Sequence, residues 1–246
     1  MAKASPADQL LLLDLQGLDS KIVKIDRAVK ALDSDPEIIA AGEAVAEAEA
    51  ARREVAEESA AAQHALTDIE HQGEKVQTRI DKDRAQIEAG RGTARDMMAL
   101  QHEIDSLMLK RGELETTELE LMETAEEVAG RLEGVTASAD GTAGQLAQLE
   151  RARDGKAAEL AAERATLVNE RTELAGGIDP TLVGMYEKRL AQRGIGAARL
   201  FHGTSEGSGM QLAAGDLAEI RAAAAEDDVV SCPDSGVILV RSPEWN

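Results

Sequence analysis

The sequence is poor in the residues that build compact, turn-rich domains. Of its 246 residues only 1% are aromatic, and the three are Tyr186, Phe201 and Trp245, all in the last quarter. There are five prolines, and none lies between 37 and 179, a stretch of 143 residues. Aromatic side chains contribute the largest buried areas of ordinary cores. Sandwiches and alternating α/β folds also recruit Pro and Gly at their turns. Their scarcity disfavours a conventional enzyme scaffold over about three quarters of the chain. The single cysteine, Cys232, excludes an intrachain disulfide. No apolar run reaches the roughly 18 residues of a membrane span, and the longest early one, Leu10 to Leu13, is too short for a signal-peptide core. The expectation is a cytoplasmic protein with no membrane partner.

Positive charge is also in short supply. Lys and Arg total 27 against 47 acids, a formal net charge of −20. Such a chain is repelled by phosphate backbones and anionic lipid unless it carries a local basic patch.

What is present is Ala, Glu, Leu and Arg, the composition of long helices and coiled coils. Ser5-Pro6 reads as an N-cap followed by proline at the first helical position. Leu11, Leu15, Leu18, Ile22, Ile25, Val29 and Leu32 follow at steps of 4, 3, 4, 3, 4 and 3, an a/d seam. Asp33-Ser34-Asp35-Pro36 breaks this helix. A second helix is predicted from about 37 to 89, with a weaker seam of Val45, Val55, Leu66, Ile69, Val76, Ile80 and Ile87.

Gly90-Arg91-Gly92-Thr93 is the strongest punctuation. Gly90 suits a left-handed helix terminus, and Thr93 with Asp96 forms a capping pair. The seam resumes at Met97, Leu100, Ile104, Leu107, Leu114, Leu121, Val128, Leu132 and Val135. It weakens over 134–144, then returns at Leu146, Leu149, Leu160, Leu167 and Leu174. The stretches 6–89 and 94–175 are nearly equal, each about 120 Å long if helical. Matched arms about a short turn predict an antiparallel helical hairpin over 1–179. A joint is expected where 134–144 faces 39–49.

Residues 180–246 differ. They hold all the aromatics, the cysteine and eight of the 21 glycines. Helices are predicted at 180–192 and 215–225, and strands at 197–201, 229–230 and 237–240. The expected core is Phe201, Met210, Leu212, Leu217, Ile220, Val230, Ile238 and Val240. The fold class is therefore mainly α: a long antiparallel coiled-coil hairpin with a small C-terminal α/β module.

This order of parts resembles the bacterial family of coiled-coil hairpins ending in a C4-type zinc ribbon, a family commonly linked to nucleic acid. The resemblance rests on Leu100-Gln101-His102-Glu103-Ile104-Asp105-Ser106-Leu107, on Pro180 with Tyr186, and on Cys232-Pro233-Asp234-Ser235-Gly236-Val237-Ile238-Leu239. The last segment is similar to the family's Cys-Pro-x-Cys-Gly knuckle. The resemblance implies zinc ligands at Ser205, Ser208, Cys232 and Ser235, so three of four family cysteines read serine. Zinc takes thiolate, imidazole or carboxylate donors, and a neutral hydroxyl is a poor substitute. No cofactor is expected. An improvised site of Cys232 with His202, Glu206 or Asp234 stays open.

No P-loop, dinucleotide-binding glycine motif or nucleophile elbow occurs, and no enzyme activity is expected. His64 and His71 lack the i, i+4 spacing of metal ligands on a helix. Two binding surfaces suggest themselves. The hairpin tip offers Arg91, Arg95, Asp96, Gln101 and Glu103, though an ordinary capped turn is the favoured reading there. Lys188, Arg189, Arg193 and Arg199 form a local basic group that can touch phosphate. The favoured reading is an adaptor or chaperone-like scaffold for an unidentified protein partner. The alternative is a nucleic-acid-binding regulator acting through 180–246, which the acidic balance of that segment disfavours.

Overall fold

The computed structural model describes residues 2–90, 92–224, 227–242 and 245. Three long helices come first: α1 Pro6–Leu32, α2 Pro36–Glu88 and α3 Ala94–Gly176. Then follow α4 Pro180–Arg193, β1 Ala197–Phe201, β2 Thr204–Ser205, β3 Met210–Gln211, α5 Ala214–Ala224, β4 Val230–Ser231 and β5 Ile238–Arg241. The helical hairpin and the small strand module are both present. Among the described residues no helix is long and apolar enough to cross a membrane. Two compact units are formed, one by 36–151 and the other by 1–35 with 152–246.

In the first unit α2 runs antiparallel to the beginning of α3. The less exposed residues of α2 include Arg52, Val55, Ser59, Ala62, Leu66, Ile69, Gly73, Val76, Ile80, Asp83 and Ile87, at alternating steps of three and four. On α3 they include Met97, Leu100, Ile104, Leu107, Leu114, Glu118, Leu121, Ala125, Val128, Leu132, Val135 and Ala139. This spacing is a coiled-coil seam. Cross-helix pairs fix the register: Arg79 to Glu103 at 2.8 Å, Arg111 to Gln77 at 2.6 Å and Arg131 to Glu58 at 2.9 Å.

The turn is built as its residues require. Gly90 takes φ +61° and Gly92 φ +125°, left-handed values that glycine adopts without strain. Asp96 accepts from the Thr93 N–H and from its hydroxyl, both at 2.8 Å, and the Asp96 N–H donates to Thr93 Oγ1 at 3.3 Å. The expected joint at 134–144 does not interrupt α3, which stays helical through Gly134, Gly141 and Gly144. Ala139, at the seam there, is buried.

The second unit wraps a five-stranded sheet of order β3-β2-β1-β5-β4. β1 and β5 are parallel, with Ala197 opposite Ile238, and the other pairs are antiparallel. One face carries Ala197, Ile238 and Val240 against Leu12 and Leu15 of α1 and Leu182 and Tyr186 of α4. The other carries Ala198, Leu200 and Leu239 against Leu212, Ile220 and Cys232. Further along, α1 continues as a seam against the end of α3 through Ile22, Ile25 and Leu167. The N-terminal segment also joins the module: the Ala4 N–H donates to Asp227 O at 3.1 Å, and the Val229 N–H donates to Ala2 O at 2.8 Å.

Two core expectations are corrected. Met210 is exposed on the short edge strand β3, and Phe201 is only half buried, lying under the Arg199 guanidinium. Strand positions also shift: β4 is 230–231 and β5 is 238–241, because β5 pairs in parallel with β1 from residue 238 onward.

A buried polar knot ties α1, α3, α4 and β1 together. The Tyr186 hydroxyl donates to Asp19 Oδ2 at 2.7 Å, and Arg171 Nε donates to Asp19 Oδ1 at 2.7 Å. Gln16 Oε1 accepts from the Gly196 N–H at 2.7 Å. A Cβ on Gly196 would lie 2.4 Å from the Tyr186 ring, so the backbone there approaches as only glycine can. Burial, with the Asp19 hydrogen bond and charge adding to it, pushes the Tyr186 phenol well above its usual range.

Two outcomes follow. The folded state favours the neutral phenol, so its contribution is complete below the ordinary tyrosine value of about 10 and is lost as pH rises beyond it. Tyr186 is the only tyrosine, so the tyrosinate absorbance of the native protein belongs to it alone. It should stay silent around that pH and rise only with unfolding. A reversible titration at the ordinary value in folded protein would contradict the buried knot. In the hairpin, Asp83 is fully buried at a seam position with Oδ1 unpartnered and Oδ2 accepting from Arg79. Asp83→Leu should therefore stabilise the protein by about 1 kcal/mol or more in urea unfolding; a loss of stability would mean the carboxylate is satisfied.

Candidate functional site

The strand module brings Ser205, Ser208, Cys232 and Ser235 together. They sit on two matching turns. In one, the Gly209 N–H donates to Ser205 O at 2.8 Å; in the other, the Gly236 N–H donates to Cys232 O at 2.9 Å. Gly209 and Gly236 have φ of +70° and +72°, the left-handed values that close each turn. Cys232 Sγ lies 3.9 Å from Ser208 Oγ, and the Ser235 N–H donates to Cys232 Sγ at 3.5 Å. Gly207 lets the first turn press against the sheet, since a Cβ there would lie 2.8 Å from Val237 and 2.9 Å from Ala198.

The Cys232 thiol feels opposing influences. Burial pushes its pKa up, while the Ser205 and Ser235 hydroxyls and the Ser235 and Asp234 N–H groups push it down, and the sum lies below the ordinary thiol value. The Ser205 and Ser235 hydroxyls are buried and meet no other hydrogen-bond partner. The cluster is thus one thiol among three hydroxyls.

That donor set does not fit zinc. Three neutral hydroxyls cannot replace three thiolates in a tetrahedral site. The improvised ligands are not gathered either. His202 stacks edge-on against Phe201, and Glu206 is held by Arg199 at 2.6 Å. Among the described residues no three of His, Cys, Asp and Glu converge on a metal position.

The basic group is dispersed into structural work. Arg189 donates to Gly236 O at 3.1 Å, Met185 O at 3.1 Å and Ser231 Oγ at 2.9 Å, strapping α4 to the second turn. Arg199 is bound to Glu206, and of the four basic residues Lys188 and Arg193 are exposed on helix α4. At the tip, Arg91 lies outside the described residues. Asp96 is spent on the cap, and the Thr93 backbone and side-chain hydrogen bonds hold its carboxyl below the usual range. Glu103 bridges to Arg79, Gln101 donates to Asp105 at 3.0 Å, and Arg95 is exposed. Of the tip residues, Asp96 thus serves the cap and Glu103 the register.

Sequence reasoning missed a feature of the hairpin seam. Gly73 occupies a seam position on α2, and Arg111 and Glu118 take the polar seam positions that flank Leu114 on α3. Together with Glu70, Glu74, Gln77, Thr78 and Glu115 they line a cleft of about 830 Å³. The available signal was the gap in the apolar repeat between Leu107 and Leu121, relieved only by Leu114.

Comparison with known proteins agrees with this architecture. The model of the CT398-like coiled coil hairpin domain matches residues 15–194. The chain is 33% identical over 242 residues to the uncharacterized protein Rv2229c of Mycobacterium tuberculosis, covering 97% of each. A solved structure from Mycobacterium smegmatis is similar at 32% identity and a TM-score of 0.71, covering 98% of this chain and 100% of that one. The structure of CT398 from Chlamydia trachomatis shares the fold at 19% identity and a TM-score of 0.65, covering 96% and 98%. With most of its length matched, the chain belongs to the CT398-like coiled-coil hairpin family.

Proposed function

We propose that the protein is a non-enzymatic scaffold that binds a protein partner along its helical hairpin. The carrying observation is how the 116 residues of 36–151 are used: a thin seam, with both outer faces given to solvent. Fixed, extended side-chain rows suit recognition of another chain. Nothing in the basic group favours nucleic acid, because Arg189 and Arg199 are held internally.

A photo-crosslinking residue placed in the full chain at Gln101 or Glu123, both exposed on α3, tests this. The expected result is the same discrete protein adduct from both positions in cells. Adducts to nucleic acid alone, or none at either position, would contradict the scaffold reading.

The strand module is read here as a metal-free relative of a zinc ribbon. Its support is the pair of matching glycine-closed turns that bring Ser205, Ser208, Cys232 and Ser235 together. Restoring the thiols by Ser205→Cys, Ser208→Cys and Ser235→Cys should yield a protein that takes up one zinc per chain and melts higher when loaded, while the parent takes up none. Stoichiometric zinc in the parent, or none in the triple variant, would overturn this reading.

A further inference from the structure

The interrupted seam sits beside an exposed apolar ridge. On α3, Met108 and Met122 are exposed at the edge of this stretch and Leu119, 62% exposed, lies next to Met122, while Leu109, 75% exposed, and Met98, 66%, stand on the outer face away from the seam. Exposed residues of this size are scarce elsewhere on the hairpin: among the described residues α2 contributes only Ile39. At 3.5 residues per turn, Met108, Glu115 and Met122 fall seven apart at one heptad position. That position is the edge bordering the cleft. Glu115 lines the cleft, and Arg84 of α2 donates to Met108 Sδ at 3.6 Å. Leu119 stands on the outer face next to Met122. The two methionines are about 21 Å apart along the helix, roughly four helical turns.

Between these apolar ends the cleft is acidic. Glu70, Glu74, Glu115 and Glu118 line it, with one guanidinium, Arg111, already held by Glu115 at 2.7 Å and Gln77 at 2.6 Å. Leu114 lies buried at its base, and Gly73 lines it from the facing helix, where a Cβ would meet nothing within 4 Å. The hairpin thus presents what a third helix needs: adaptable methionine anchors two heptads apart, a gap in the seam, and carboxylates between.

Charge selects the occupant. A second copy would set these carboxylates against their own kind, on a chain of net charge −20, and an anionic membrane is repelled for the same reason. We infer that the cleft at Gly73 and Leu114, with the ridge from Met108 to Met122, docks a basic amphipathic helix of a protein partner, its apolar side chains on the methionines and its cations among the carboxylates. This rests on the scaffold reading and assigns it a face and a partner chemistry.

The probe is a synthetic leucine–lysine amphipathic helix of about four to five turns, labelled and titrated by fluorescence anisotropy against the full chain. A leucine–glutamate helix of the same pattern is the comparison. The lysine helix should bind and the glutamate helix should not. Leu119→Asp, which breaks the ridge, and Gly73→Leu, which fills the cleft with a better helix former, should each weaken binding by roughly tenfold or more. Ser138→Asp, the same added charge on an exposed position of α3 away from the cleft, should leave it unchanged. Circular dichroism confirms that each variant remains helical.

Equal binding of both helices, or equal binding by parent and variants, would overturn the assignment. So would sedimentation as a dimer that Leu119→Asp dissolves, or binding to anionic vesicles that the same variant abolishes. A discrete crosslinked partner at Gln101 and Glu123 whose capture ignores Leu119→Asp and Gly73→Leu would sink this face while leaving the scaffold reading intact.

Discussion

Alternating steps of three and four between inward side chains are the constraint on which the hairpin depends. Two helices can stay in contact over many turns only if each returns a side chain to the same side every 3.5 residues. From Arg52 to Ile87, α2 keeps that rhythm without a miss, even where the residue delivered is Gly73 or Asp83. The rhythm, rather than the apolarity of each position, sets the path. Val55, Ile80, Ile104, Leu114 and Val128 supply the buried contacts, Arg79 and Arg131 lock the register from the sides, and Arg111 does so from a seam position. Such a frame tolerates polar or missing side chains at a few levels, and those levels become available for something else.

The strand module is held by a different principle. Its sheet is buried on both faces, and part of one cover comes from α1, nearly two hundred residues from β1 in sequence. Tyr186, Asp19, Arg171, Gln16 and Gly196 close that packing with buried hydrogen bonds that need each partner in place. The module therefore has an apolar core on each face of its sheet. On the proposed reading of the module as a metal-free relative of a zinc ribbon, the core and the glycine-closed turns take over the holding that thiolates do there.

Much of this was legible in the sequence. The helix starts at Ser5-Pro6 and Pro180, the turn at Gly90 to Thr93, strand β1 and the hairpin pairing all follow from local rules, because caps, prolines and glycines act within a few residues. The second face of α1 was not legible. Leu12 and Gln9 lie off the 3.5-residue stripe, and their burial is decided by β5 and the 227–229 segment, which no local pattern announces. The parallel pairing of β1 with β5 was equally hidden. Met210 and Phe201 misled for a related reason, since a large apolar side chain on a two-residue edge strand or at a strand end has little to pack against. The cleft escaped notice because a search for apolar repeats passes over Gly73, Arg111 and Glu118, the residues that create it.

On this proposal the hairpin binds its partner where its seam is interrupted. Amide hydrogen exchange on the full chain, with and without the leucine–lysine helix, addresses it directly. Without the helix, segments 70–78 and 111–118 should exchange faster than the continuous seam around Val55 and Val128. With it, protection should rise in those two segments and around Met122, and nowhere in the strand module. Uniform exchange along the hairpin in the free protein, or protection that appears elsewhere or not at all, would contradict the claim.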